Sequence, residues 1–528
     1  MCGIIWAILD DAQGRTKLRV QEEFGKLAHR GPDASCSEVI GSHFLGNHRL
    51  AIINPTQEGN QPFDKNGAWI VCNGQIYNHK ELAEEYDCSD CLRSDVDVIL
   101  YGAQQTNMMD TVRRLDGDFA FVYVCPNGVA WIARDPVGVR PLFYGVDEDD
   151  NVVCAASEVK ALIEMPGIKR CHVFPPGNVY DTESKQFVMY TDIYPSEDET
   201  PVTCSYEEST KTVQSLVERA VQKRIGNSDR PVAFLCSGGI DSSIVLALGH
   251  KLMTSKIHMF SIEYEHHGSR SDDTFYASML ASQFGVQHTV VKFTWDDVVE
   301  NINHIICQIE SYDPNTIRAS IPMYFLAKHI STNTDYKVIL SGEGADEIFM
   351  GYNIFSKVYD DHLANLETQR LVRNLHTFDV LRADRTFAAH GLELRVPFLD
   401  KDLLHAVLRI PGKHKMPKIR VEKQLLRDAF AHIPELQRTR ILERGKERFS
   451  DGCGFGYVPS LLQHWSTASD LATKEQAEKQ AYLDIFNTKY PRHIHLIIKR
   501  ENPEWCNTIS TSTNFVGQDD KDDHWRIV

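Results

Sequence analysis

Two short apolar runs, each ending in a loop of glycine, serine and acid, constrain this chain more than any other feature. Val232 to Cys236 leads into Ser237-Gly238-Gly239-Ile240-Asp241-Ser242-Ser243, and helical spacing follows from about Asp241 to Leu252. Lys337 to Leu340 leads into Ser341-Gly342-Glu343-Gly344-Ala345-Asp346-Glu347. A further strand is expected at Ile257 to Tyr264 and a further helix near 274–284. Strands alternating with helices predict a parallel sheet with right-handed crossovers. Ligands of such sheets bind beyond the carboxyl ends of the strands, where both loops sit.

The residue types in these loops suit a phosphate. Two glycines let the backbone turn tightly and bring N–H groups to an anion, and the following helix adds its positive end. Ser237, Ser242 and Ser243 add hydroxyls. Asp241 would be unfavourable beside a bare phosphate, so a metal ion bridging the two is the natural reading. The second loop places three acids in five positions, which suits Mg²⁺ or base chemistry. No G-x-x-x-x-G-K-[ST] is present, so the first loop is not of the Walker type. It resembles the pyrophosphate loop of ATP pyrophosphatases, which cleave ATP between the α and β phosphates. Lys423 and Arg427 stand one helical turn apart, and Lys446, Arg448 and Ser450-Asp451-Gly452 form a basic loop. Each alone reads as solvated surface charge; beside a triphosphate they would bind the leaving pyrophosphate.

The first 190 residues have a different texture, with short strands and turn punctuation. Phe44 to Ile53 and Ala68 to Cys72 read as strands. Phe119 to Val124 and Val129 to Ala133 flank Cys125-Pro126-Asn127-Gly128, and Asn-Gly there predicts a hairpin because both residues tolerate φ > 0. Helical spacing appears at about 16–28 and 95–105. The pattern is α+β and rich in antiparallel strands. Its first residues are Met1-Cys2-Gly3. If Met1 is removed, the Cys2 thiol and α-amine share one carbon. The amine, titrating at roughly 7.7–8.0, can then take the thiol proton and return it to a leaving group.

Composition excludes some classes. The chain has 528 residues and a formal net charge of −17, so a groove for nucleic acid is not the expectation. No apolar run approaches about 18 residues and no basic-then-apolar leader pattern opens the chain, so no membrane span is expected. Thirteen cysteines without regular spacing suggest free thiols, a reducing compartment and a cytoplasmic protein. Cys88-Ser89-Asp90-Cys91 is the one close pair, and no partner pair stands near it to complete a zinc site.

With Cys2, the strand-rich first part and both loops assembled, the chain resembles the glutamine-dependent asparagine synthetases over nearly its full length. The first part is similar to the class II glutamine amidotransferase domain. The resemblance is carried by Met1-Cys2-Gly3-Ile4, His29-Arg30-Gly31-Pro32-Asp33, Arg49 to Ile53, Asn73-Gly74-Gln75-Ile76-Tyr77-Asn78, Ser94-Asp95, Leu115 to Ala120 and Arg134 to Gly138. The second part is similar to the synthetase domain. Its marks are Leu235 to Gly239, Phe260-Ser261-Ile262, Tyr312-Asp313 with Thr316 to Ser320, Ser341 to Glu347, Arg382-Ala383-Asp384, Glu393 to Asp400 and Lys446 to Gly452. The implied fold is an α+β N-terminal-nucleophile domain of stacked antiparallel sheets. An α/β parallel-sheet domain of ATP-pyrophosphatase type follows, with a helical C-terminal part. The expected limits are 2–194, a linker at 195–205, 206–515, and a polar tail at 516–528.

The resemblance also implies roles. Cys2 attacks the glutamine amide, and the Asn73 side chain and Gly74 N–H form the oxyanion hole. Glutamine lies against Arg49, Leu50, Ala51, Ile52, Ile53, Asn73, Gly74, Gln75 and Asp95, with Arg49 on its α-carboxylate and Asp95 on its α-ammonium. Gln75 departs from the family, which usually has Glu there. ATP takes Leu235 and Ile262 at the adenosine and Ser237, Gly238, Gly239, Asp241, Ser242, Ser341 and Gly342 at the phosphates, with Lys423 and Lys446 beside them. Asp241 and Asp346 would hold Mg²⁺, and Glu343 would assist formation or use of an acyl-adenylate. The expected ligands are glutamine, aspartate and ATP, with no nucleic acid or membrane, and a homodimer is the assembly left open. Two rivals stand beside this reading. One is a different enzyme on the same architecture, either a glutamine-dependent amidotransferase acting on a larger carboxylate or a cyclising synthetase; the cyclising kind needs no glutamine site, whereas Cys2, Arg49, Asn73 and Asp95 are all present. A non-catalytic glutamine or ATP sensor predicts losses at the nucleophile or phosphate loop, and none is seen.

Overall fold

In the computed structural model, alternating side chains split each strand of the first part between two apolar layers. The structure describes residues 1–191, 193–196, 199, 202–265, 271–358, 360–417, 421–446 and 457–490. Up to Met189 these form β1 (Gly3–Ile8), β2 (Ala34–Ile40), β3 (His43–Arg49), β4 (Phe63–Lys65), β5 (Ala68–Ile76) and β6 (Gly117–Val124). Then come β7 (Ala130–Arg134), β8 (Phe143–Val146), β9 (Val152–Ala156), β10 (Arg170–Val173), β11 (Asn178–Asp181) and β12 (Phe187–Met189). Two six-stranded sheets result, ordered β10-β8-β9-β1-β3-β2 and β12-β11-β7-β6-β5-β4, with every pairing antiparallel. Ile4 and Trp6 of β1 meet Val71, Val122 and Ile132 between the sheets. The alternate residues Ile5 and Ala7 turn outward to Val20 and Phe24 of the helix Lys17–Gly25. On the far side, Cys72 and Phe121 pack against Leu82 and Ile99 of the helices His79–Glu85 and Val98–Gln105. The order is helix, sheet, sheet, helix, the expected stacked-sheet architecture.

One local expectation shifts and one holds. The run from Phe44 leaves the sheet at Arg49, because the Arg49 guanidinium turns the following loop around itself. The Asn127-Gly128 hairpin forms as expected, with Gly128 at φ 84°. Gly128 N–H donates to Cys125 O at 2.9 Å, and the Asn127 side chain accepts from Val129 N at 3.2 Å.

Beyond the linker, of which residues 197, 198, 200 and 201 lie outside the described residues, Ser205 and Glu208 form a capping box that starts the helix Tyr206–Gly226. The predicted parallel sheet follows as β13 (Val232–Leu235), β14 (His258–Tyr264), β15 (Gln287–Phe293), β16 (Val338–Leu340) and β17 (Glu393–Arg395), ordered β15-β14-β13-β16-β17. Phe234 and Ala233 face opposite layers, one with Ile244 of the helix Ile240–Leu252 and one with Ile321 of the helix Pro314–Asn333. β17 lies in the stretch expected to be helical. Its three residues, Glu393-Leu394-Arg395, alternate charged and apolar, but the run is too short to tell strand from helix. The tail 516–528 lies outside the described residues.

The two parts meet through buried ions. Arg30 pairs with Glu158 at 2.7 Å and with Asp384 at 2.8 Å, and Glu158 also takes Arg385 at 2.7 Å. Glu310 accepts from Val159 N and Lys160 N at 3.1 and 2.9 Å. The free edge of β17 is covered by the first part: Met1 N donates to Leu392 O at 3.2 Å and Arg140 to Leu394 O at 3.3 Å. Buried charges of this kind hold only while both partners stay in place.

Candidate active sites

The first site lies where β1 begins. The Cys2 carbonyl accepts from Arg30 Nε at 2.9 Å, and its thiol points to Leu50 O at 4.0 Å. Burial pushes the thiol pKa up, while the adjacent ammonium and Arg49 pull against it. With Met1 in place the α-amine belongs to Met1. It is buried beside Glu393, Arg30 and Arg140, and desolvation lowers it to about 5. The base expected for Cys2 is therefore formed only when Met1 is removed.

On β5, Asn73 is fully buried, and neither Oδ1 nor Nδ2 has a partner among the described residues. An orphaned buried amide is costly unless something arrives to use it. Gly74 beside it has no room for a side chain: a Cβ would lie 2.3 Å from Asp118 O. Asp95 is held by Ile76 N at 2.8 Å, Gln75 Nε2 at 2.7 Å and Ser94 Oγ at 2.8 Å. Burial raises its pKa against those donors.

Arg49 is more occupied than its expected role requires. Its terminal nitrogens donate to Thr56 O (2.7 Å), Asn60 Oδ1 (2.8 Å), Ile53 O (2.9 Å) and Asn54 O (2.5 Å). Only Nε is left without a partner among the described residues. The loop after β3 is therefore wrapped on the guanidinium, and Ala51 is pinned by Asp33 at 2.8 Å. Ile52 O accepts from Asp229 N of the second part at 3.2 Å.

The second site is a cavity of about 280 Å³ at the carboxyl ends of β13, β14 and β16. Leu235, Ile262, Ser237, Gly239, Asp241, Ser242, Ser341, Gly342, Glu343, Asp346, Lys423 and Lys446 line it, while Gly238 is not among the lining residues. Gly238 sits at φ 74°, and a Cβ there would strike Tyr276 at 2.5 Å. The two loops touch, since a Cβ on Gly342 would lie 2.8 Å from Ser242 N. Lys423 Nζ donates to Asp241 at 2.6 Å and to Asp346 at 2.7 Å, and Lys446 reaches Asp346 at 3.0 Å. These two lysines drive the Asp346 pKa far below the usual carboxylate range, against its burial. Asp241 Oδ1 is buried with no hydrogen-bond partner among the described residues. Two converging carboxylates, one with a spare oxygen and both already sharing a cation, fit a divalent ion.

Arg427 also lines the cavity but makes no contact with Asp241 or Asp346. Its guanidinium is taken by Glu422 at 2.9 Å and by the carbonyls of Glu422, Ile441 and Leu442. Arg448 and Ser450-Asp451-Gly452 lie outside the described residues. Around the acids of the second loop the cavity gathers residues that had no sequence assignment as ligand contacts, among them Asp379, Arg382 and Arg318. Glu343 is paired to Arg382 at 3.1 Å, and Arg382 also meets Asp379 at 3.1 Å. Glu347 is buried beside Asp379 and Asp346, which together with desolvation raise it to about 8, and the Tyr352 hydroxyl bonds it. Arg318 enters from the helix Pro314–Asn333 and is gripped by Glu478 of the helix Leu471–Lys489. Neither Cys88 nor Cys91 forms a disulfide, and no cluster of three or more metal-ligating side chains occurs among the described residues.

Comparison with known proteins decides the family. A model described as "Glutamine amidotransferase domain" matches residues 1–173, and one described as "Asparagine synthase" matches 212–367 and 359–512. The chain belongs to the asparagine synthetase family. It is 34% identical to "Asparagine synthetase [glutamine-hydrolyzing]" of Rattus norvegicus over 97% of this chain and 98% of the relative, with the same figures for the protein of that name from Homo sapiens. It is likewise 34% identical to the "Probable asparagine synthetase [glutamine-hydrolyzing]" of Acanthamoeba polyphaga mimivirus, over 94% and 96%. Among the described residues, no helix is long and apolar enough to cross a membrane.

Proposed function

We propose that this synthetase-family chain makes asparagine from aspartate, glutamine and ATP at two sites. After Met1 is removed, the α-amine of Cys2 takes the thiol proton and Sγ attacks the glutamine side-chain carbonyl. The oxyanion is received by the Asn73 amide and the Gly74 N–H, ammonia departs with the returned proton, and water releases glutamate from the thioester. Two fixed donors at an oxyanion are worth about 10²–10³ in rate each. Asp95 takes the glutamine ammonium. Arg49 serves the α-carboxylate through Nε or by giving up contacts to its own loop.

At the second site the aspartate side-chain carboxylate attacks the α-phosphate of ATP, forming β-aspartyl-AMP and releasing pyrophosphate. Leu235 and Ile262 take the adenosine, and the serine and glycine N–H groups of both loops take the phosphates. Asp241 and Asp346 would hold Mg²⁺, which would offset charge on the triphosphate. Lys423 and Lys446 stand beside the departing pyrophosphate, and Glu343, on Arg382, assists at the carboxylate. Ammonia then displaces AMP to give asparagine. In water it would mostly be ammonium and not nucleophilic, so it passes between the parts shielded from solvent.

The observation that carries this reading is Asn73, a buried amide with no partner, one residue from Gly74 and on the sheet facing β1, where Cys2 stands. Free thiols support action in the cytoplasm, and light scattering would test a homodimer. The decisive assay combines the protein with aspartate, ATP, Mg²⁺ and amide-¹⁵N glutamine. Labelled asparagine and one pyrophosphate per asparagine are expected; neither product forming would reject the reading.

A further inference from the structure

The departure at Gln75 leads to a connection between the two sites. Gln75 and Arg395 are both buried, the first on β5 and the second on β17. Gln75 Nε2 donates to Asp95 Oδ2 at 2.7 Å, and Gln75 Oε1 accepts from Arg395 at 2.9 Å. Only one orientation of the amide satisfies both neighbours, a carboxylate that needs a donor and a guanidinium that needs an acceptor. A glutamate could accept from Arg395 but could not donate to Asp95 while both acids are ionised. The amide is thus what joins these two charges.

Arg395 is held from several sides. Its Nε pairs with Glu393 at 2.8 Å, and its NH1 donates to Arg224 O and Asn227 O at 2.6 and 2.8 Å. Its own carbonyl accepts from Ser341 N at 3.0 Å, in the second phosphate loop. Three hydrogen bonds therefore run from Asp95 through Gln75 and Arg395 to Ser341. Asp95 Oδ2 is filled by Gln75 and Ile76 N, and Oδ1 by Ser94 with one lone pair spare. A ligand ammonium at Asp95 must share or compete with the Gln75 amide.

We propose that Gln75 is a positioning residue that couples glutamine occupancy at Asp95 to ATP binding at Ser341 through Arg395. This rests on the glutamine and ATP sites assigned above. Coupling of this kind is reciprocal, and typical values change affinity about 5–150-fold.

The test uses full-length Cys2→Ala protein, which binds glutamine without consuming it. ATP with Mg²⁺ is titrated calorimetrically with and without saturating glutamine, and glutamine with and without ATP. Glutamine is expected to change the ATP Kd at least about fivefold, with ATP changing the glutamine Kd by the same factor. Adding Gln75→Ala should bring that factor below about twofold while both ligands still bind. Should Gln75→Ala precipitate, Gln75→Glu, equal in size but no donor, carries the test and should also lose coupling. An unchanged factor in these variants, or no effect of glutamine on ATP in Cys2→Ala itself, overturns the proposal and leaves the site assignments standing. Absence of any glutamine heat in Cys2→Ala removes the glutamine-site reading as well.

Discussion

Lys423 Nζ lies 2.6 Å from Asp241 and 2.7 Å from Asp346, so one buried ammonium ties the two phosphate loops together. Its pKa is raised by the two acids against its burial, which keeps it charged. Lys423→Met would leave two carboxylates facing each other. Removing one member of a buried ion cluster costs about 3–5 kcal/mol. The expected outcome is a lower unfolding midpoint and loss of ammonia-dependent synthesis. Added Mg²⁺ should restore part of the midpoint, since a divalent cation fits the same gap. A midpoint indifferent to Mg²⁺ would argue against Asp241 and Asp346 as its ligands.

Asn73→Ala separates stability from activity. The amide makes no hydrogen bond among the described residues, so truncation removes a buried group that costs about 1–3 kcal/mol when unsatisfied. Stability should hold or rise. Glutamine hydrolysis should fall about 10²–10³-fold, with ammonia-dependent synthesis unchanged. Denaturant titration beside both assays checks this, and a stability loss would mean that Asn73 has a structural partner.

Gly59→Ala acts through Arg49. The new Cβ would lie 2.1 Å from an Arg49 terminal nitrogen and 2.8 Å from Asn54 O. The guanidinium and its loop must shift. The KM for glutamine is expected to rise about tenfold, equivalent to about 1.4 kcal/mol, with ammonia-dependent kcat unaffected. Steady-state kinetics with each nitrogen source decides it.

Glu347 sets a pH dependence. Its pKa in the folded protein is raised to about 8, first by burial and then by Asp379 and Asp346. The folded state therefore holds the proton more tightly than the unfolded chain, whose glutamates titrate near 4.3. Its stabilising contribution is complete below that value and is lost as pH rises through about 8. Glu347→Gln, a fixed mimic of the protonated acid, should flatten the fall in unfolding midpoint between these limits. An identical pH profile in the variant would show that Glu347 is ionised throughout.

Much of this was legible in the chain itself. The loops after β13 and β16 announce themselves because close approach demands glycine: Gly238 against Tyr276 and Gly342 against Ser242 leave no space for a Cβ. Asn73-Gly74 stands out for the same reason. What stayed hidden depends on long-range company. β17 is a strand only because β16 lies beside it, with Leu340 opposite Arg395. Arg318 faces the cavity because Glu478, 160 residues later, holds it there. Arg49 is absorbed by its own loop, and Arg427 by Glu422 and the Ile441–Leu442 carbonyls, and no spacing rule reveals such engagement.

The cover on β17 bears on whether the halves can be separated. An open strand edge is a template for pairing with other chains. Here Arg140 occupies the Leu394 carbonyl, and Asp384 and Arg385 next to the strand are answered by Arg30 and Glu158. Expressed without the first part, the synthetase half would present a bare edge ringed by stranded charges, and it should self-associate. The ammonia-making half thus also acts as a built-in chaperone for the half that consumes ammonia, which makes fusion in one chain a condition of solubility as well as of chemistry.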